Sequence, residues 1–190
     1  MKNYILTAIR LTAITIILFG VLYPLLITGI ASVAAPGNGD GETIKLDGRE
    51  VGFTLIGQQF GQDKYFHGRP SAVAYNAAAT GGSNKGPSNA AYLADVQSRI
   101  DEILQANPGI SENAIPVDLI TASGSGIDPH ISPQAARIQI DRIARARNMD
   151  KQRLEALVKA HTEAPLWGLF GTSRVNVLCL NIALDESRNR

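Results

Sequence analysis

Leu11-Thr-Ala-Ile-Thr-Ile-Ile-Leu-Phe-Gly-Val-Leu-Tyr-Pro-Leu-Leu-Ile-Thr-Gly-Ile30 contains no charged residue, and the uncharged run continues to Ala35. About 20 apolar residues suffice for a helix to cross the hydrocarbon core of a bilayer. Residues 11–35 therefore predict a transmembrane helix. Lys2 and Arg10 precede it, and the first acids, Asp40 and Glu42, follow it. This charge order predicts a short cytoplasmic N-terminus over residues 1–10 and an extracytoplasmic remainder. A cleaved signal peptide is the alternative, with Ser32-Val-Ala34 as a small-residue cleavage site. The apolar run exceeds the roughly 7–15 residues of a signal's hydrophobic core, so a retained anchor is preferred. Both readings export the rest of the chain.

Pro24 lies inside the span, where proline removes a helical hydrogen bond and kinks the axis. Membrane helices tolerate this when neighbours or local adjustment satisfy the freed carbonyl. Gly20, Thr28, Gly29 and Ser32 are small enough to admit another helix closely. Gly20, Tyr23 and Pro24 are accordingly the candidate partner contacts within the membrane.

Beyond the span, Pro36-Gly-Asn-Gly-Asp-Gly41 has linker composition, and residues 36–42 are assigned as a linker before a domain over 43–190. Strands are predicted at 43–46, 51–58 and 115–120. Residues 61–89 are polar and rich in Gly and Asn, a length of loop that is usually functional or held by partners. Asn89 caps a predicted helix to Ala106, with Leu93, Val96, Ile100, Ile103 and Leu104 on one face. Ser132-Pro133 starts another that ends near Asn148, and Asp150 caps a third that Pro165 stops. Arg174–Leu184, β-branched and apolar, reads as a buried strand. The resulting class is a mixed α/β (α+β) soluble domain of two layers, anchored by one N-terminal transmembrane helix.

The domain's charge is close to balanced. Two of the 18 basic residues lie before the span and all 17 acids after it. The basic stretch from Arg137 to Lys159 is interrupted by Asp141, Asp150 and Glu155, as on a solvated helix face, so no nucleic-acid partner is expected. Cys179 is the only cysteine, which excludes an intrachain disulfide and a Cys-x-x-Cys site; it reads as a small core residue.

Candidate chemistry is sparse. Of the three histidines, His161 falls on an apolar helix face, and His67 lies in the long loop. Asp128-Pro-His130 offers two metal donors in one loop without a second cluster to complete a site, so no metal is expected. Ser123 and Ser125 sit near Asp128 and His130, but neither has the flanking glycines of a nucleophile elbow, and turn formation accounts for them. No Walker A sequence is present. No catalytic residue is assigned.

Three blocks carry more information than composition does. The first is Leu55-Ile-Gly-Gln58 with Phe60, then Tyr65-Phe-His-Gly-Arg-Pro-Ser-Ala72, Tyr75-Asn76 and Gly81-Gly-Ser-Asn84. The second is Ile115-Pro-Val-Asp-Leu-Ile-Thr-Ala-Ser-Gly-Ser-Gly-Ile-Asp-Pro-His-Ile-Ser-Pro133 with Arg142-Ile-Ala-Arg-Ala-Arg147. The third is Pro165-Leu-Trp-Gly-Leu-Phe-Gly171 and Val175-Asn-Val-Leu-Cys-Leu-Asn-Ile-Ala-Leu-Asp185. With Tyr23-Pro-Leu-Leu26, they resemble the C subunit of the Kdp-type potassium-transporting ATPase of bacteria and archaea, in order and over nearly the full chain. One departure is Thr80, where members often have serine before the paired glycines.

The resemblance implies an accessory subunit of an ATP-driven potassium-uptake complex in the cytoplasmic membrane. Its implied partners are a potassium-channel-like subunit, a P-type ATPase subunit and a small single-span subunit. The phosphorylated aspartate and the selectivity filter belong to those partners; potassium is the transported ion and ATP belongs to the complex. The family's description as a catalytic chaperone implies a subunit that raises ATP affinity. Two expectations follow: a structural clamp at the outer potassium entrance, contacting partners through residues 61–89 with Arg69 and Ser71, or assistance to nucleotide binding through Gly81, Gly82, Ser83 and Asn84. An anchored or secreted α/β binding domain unrelated to transport is the alternative.

Overall fold

The computed structural model of the chain describes residues 2–46 and 48–188. Its contacts divide it into two units, one up to Phe53 and one from Thr54.

In the first unit, α1 (Lys2–Thr15) runs into a π-helical stretch, Ile16–Leu22, and then into α2 (Tyr23–Ala34). The wide turn has a local cause. Pro24 cannot donate, and its ring crowds the carbonyl of Gly20 four residues earlier. Opening the helix to longer-range bonding relieves that clash, and the Tyr23 amide donates to the Leu18 carbonyl, five residues back. The expected kink is thus taken up as a π-bulge. Tyr4–Ala34 is long and apolar enough to span a bilayer, and none of its most apolar window is buried. A turn at Pro36–Gly39 leads to β1 (Thr43–Leu46), which pairs antiparallel with β2 (Arg49–Phe53) and slips register between Ile44 and Lys45.

The second unit begins with 36 residues that contain turns but no named helix or strand, and then enters α3 (Ala90–Ala106). The Asn89 side chain accepts from the Tyr92 amide, as a capping residue should. Ile115–Ile120, expected as a strand, instead holds a 3-10 turn at Val117–Leu119, with another just before it at Glu112–Ala114. Pro116 supplies no ladder donor, and Asp118 turns inward to accept from the Ser132 amide at 2.6 Å. Beyond lie β3 (His130–Ile131), α4 (Pro133–Ile138), α5 (Ile140–Arg147), α6 (Lys151–Ala160), β4 (Thr162–Glu163), β5 (Arg174–Asn176) and α7 (Val177–Arg188). Ser132 and Asp150 cap α4 and α6 through the Ala135 and Gln152 amides. The small antiparallel sheet has the order β3-β5-β4.

The strand expected over Arg174–Leu184 is a correction: it stops at Asn176 and becomes α7. Asn176 accepts from the Cys179 amide at 3.1 Å, a cap that turns the chain into a helix. Val177, Leu178, Leu180, Asn181 and Leu184 of this helix are all buried. A helix buried on most sides reads as an unbroken apolar run, which period alone cannot separate from a buried strand. The core joins α7 to Ile131, Ala135, Ile143, Leu154 and Val158, and to Phe66 from the irregular segment.

Candidate functional site

The segment from Gln62 to Tyr75 owes its shape to side chains standing where a neighbouring strand would be. Phe66 is fully buried; its amide donates to Asn181 Oδ1 (2.9 Å) and its carbonyl accepts from Asn181 Nδ2 (3.0 Å). Gln139 repeats the clasp one residue later, accepting from the His67 amide (2.8 Å) and donating to its carbonyl (3.2 Å). The buried Arg142 guanidinium donates to the carbonyls of Asp63 and Tyr65 and to Gln139 Oε1. Arg147 donates to the Lys64 carbonyl, pairs with Asp185 at 2.7 Å and lies over the Tyr65 ring. The Tyr65 hydroxyl in turn donates to Asp185. Each clasp meets the demand that buried backbone groups be paired.

This segment forms one wall of a groove of about 520 Å³, completed by α3 and by Asn107, Leu119, Gln139 and Arg142. Its lining carries both signs, Arg69, Arg99 and Arg142 together with Glu102. Arg99 and Arg142 line it, Arg99 donating to the Ile120 carbonyl, so both bond to neutral acceptors. Burial and then the Arg142 charge hold His67 below the usual imidazole range. Asn107, 4% exposed, donates to the Ile103 carbonyl while its Oδ1 is unpaired.

Arg69 and Ser71 both face this groove. Arg69 pairs with Asp128 at 3.1 Å. Burial works to raise the Asp128 carboxyl, but hydrogen bonds from His130 and the Arg69 charge hold it below its ordinary range. Ser71 Oγ donates to the Gly126 carbonyl (2.5 Å) and accepts from the Val73 and Tyr75 amides. Gly126 has φ +71°, and a Cβ there would meet Val73 and the Gly81 carbonyl under 3 Å.

Gly81–Asn84 lies against the turn at 123–126 rather than in the groove. The Gly81 amide donates to the Ser125 carbonyl (2.8 Å), and Gly82 packs against Gly124. Ser123 Oγ accepts from the Gly126 amide and Ser125 Oγ from the Ile127 amide, so both hydroxyls serve the turn. His161 ends α6, its Nδ1 beside the Leu157 carbonyl. Cys179 sits half-buried on α7, where burial pushes its thiol up. Gly20, Tyr23 and Pro24 lie on the exposed surface of the long helix. Among the described residues no three His, Cys, Asp or Glu side chains converge as a metal site.

Sequence reasoning named Arg69 and Ser71 but passed over Asn107, Gln139, Arg142 and Asn181. The available signal was polarity out of place: Asn176 and Asn181 interrupt an apolar run, and Gln139 and Arg142 fall on a helix face with Ile140 and Ile143. Buried polar groups in such surroundings must be bonded to something.

The model of the family described as KdpC, K+-transporting ATPase, c chain, matches residues 5–186. The potassium-transporting ATPase KdpC subunit of Flavobacterium johnsoniae is 53% identical over 98% of this chain and 99% of its own length. The subunit of the same description from Variovorax paradoxus is 50% identical over 98% of each chain. That from Phocaeicola vulgatus is 44% identical over 99% of this chain and all of its own. The match takes in the apolar helix, the clasped segment and α7 alike, and the chain belongs to the KdpC family, the C chain of potassium-transporting ATPases.

Proposed function

We propose that the chain is a non-catalytic, single-pass accessory subunit of an ATP-driven potassium-uptake complex. Its N-terminus lies in the cytoplasm and its α/β domain outside, clamping the partner subunits together. The partners are a potassium-channel-like subunit, a P-type ATPase subunit and a small single-span subunit. The observation that carries this reading is an apolar helix of 31 residues, Tyr4–Ala34, exposed along its length in a chain of this family. The basic residues before the span and the acids after it support the orientation. Gly20, Tyr23 and Pro24 supply the contact within the membrane, and the groove with Arg69 and Ser71 supplies the one outside. Any influence on the affinity for ATP then crosses the bilayer through an element with two states, both of which the distant sites bias.

The test is sidedness. Ala78 is exposed in the irregular segment. Ala78→Cys in a Cys179→Ser background, within the assembled complex, is expected to react with an impermeant maleimide only from the outer face of sealed vesicles. Reaction from the cytoplasmic face would overturn the orientation and bring Gly81–Asn84 within reach of ATP.

A further inference from the structure

Between β4 and β5 the chain makes a small excursion, Pro165-Leu-Trp-Gly-Leu-Phe-Gly171, with an unusual surface. Leu166 is 62% exposed, Trp167 81%, Leu169 81% and Phe170 60%. Single apolar residues on a surface need no explanation, but four large ones on one short loop do. The loop is internally bonded: Leu166 and Phe170 bridge, and the amides of Leu166, Gly168, Leu169 and Phe170 all donate to carbonyls within it. Trp167 and Phe170 stack edge to face with centroids 6.0 Å apart.

The tip is a type I′ turn. Trp167 (φ +54°) and Gly168 (φ +73°) occupy its two central positions, and the Leu169 amide closes it on the Leu166 carbonyl at 3.1 Å. Asn or Asp is the ordinary occupant of the first position, because a left-handed residue with a bulky side chain costs about 1–2 kcal/mol. A tryptophan there breaks the local rule, and such breaks concentrate at functional sites.

We propose that this loop is a second membrane contact: it dips into the interfacial zone of the outer leaflet of the bilayer that holds the chain's own helix. The proposal rests on the single-pass reading above. Two observations favour lipid over a protein partner. Residues 164–173 carry no charge, and charge returns only at the Glu163–Arg174 pair (2.8 Å) at the loop's neck. The four bonded amides lower the cost of entering an apolar medium and a protein groove alike. The side chains are those of a membrane interface, an indole beside leucines and a phenylalanine, with polar groups confined to the loop's neck. Reach is not limiting: the 20 residues from Ala34 to Thr54 extend to at most about 70 Å, so the domain is held near the surface at high effective concentration.

Trp167 is the only tryptophan in the chain, so its fluorescence reports on this loop alone. The full chain, reconstituted without partners in phosphatidylethanolamine–phosphatidylglycerol vesicles, is expected to show blue-shifted emission. The emission should be quenched by lipids brominated near the headgroup and shielded from iodide. Leu169→Glu, at an exposed position that leaves the fold intact, is expected to lose the shift and most of the lipid quenching. Red emission with full iodide access in the unmodified chain overturns the proposal, and so does protection that appears only once the partner subunits are added, which would make the loop a protein contact. Failure of the anchor itself is separate: the chain would then be extracted from the vesicles at alkaline pH.

Discussion

Asn181 sits 2% exposed on α7 and is the partner of both backbone groups of Phe66. Asn181→Leu would fill similar space but strand a donor and an acceptor, each worth about 1–3 kcal/mol when buried unpaired. The expected loss is about 3 kcal/mol, seen as a lower thermal midpoint of the full chain in detergent. His67 supplies a pH signature. Its folded pKa lies below its unfolded value of about 6.5, so the unfolded state binds the proton first as pH falls. Its contribution is complete above about pH 6.5 and erodes as pH drops toward the lower folded value. His67→Gln is expected to flatten the stability profile in that window, read by thermal midpoints at successive pH values. The candidate site was least legible at this scale. Arg69 and Ser71 stood out in a block of unusual composition, whereas Asn107 and Gln139 looked like ordinary helix-end and helix-face residues. Gln139 takes its partner, His67, from 72 residues away, which no local pattern encodes.

Most elements announced themselves. Asn89, Ser132 and Asp150 each cap the helix expected of them, because a cap is a local device whose donor lies two or three residues on. Two failures involve burial; a third is the strand expected over 51–58, since β2 covers Arg49–Phe53 and stops there. In Ile115–Ile120 and Val177–Leu184 tertiary burial overrode propensity, with Asp118 recruited by Ser132 in one case and Asn176 converting strand to helix in the other. Asn176 is the decisive residue of α7, since it also donates to the Thr54 carbonyl at 2.7 Å. Asn176→Ala is expected to cost about 2 kcal/mol, losing cap and tie together, and Asn176→Ser to restore about half by capping alone. Thermal unfolding followed by circular dichroism would check both.

For the molecule as a whole, the exposed helix, the family and the mixed fold were readable because they rest on run length, charge order and blocks of rare composition. What could not be read was that the long irregular stretch contributes to the core: it lacks aliphatic runs, and Phe66, with Phe60 packed against the core, carries its burial. The Asn181 clasp has a consequence in time as well as in space. Residues joined across 115 positions close a large loop, and loop closure must precede the contacts that reward it. A chain delivered across a membrane from its N-terminal side would emerge with Phe66 and its neighbours unpaired until α7 followed. The domain would then assemble in one concerted step, leaving an interval in which the unfinished chain depends on protection from aggregation and proteolysis.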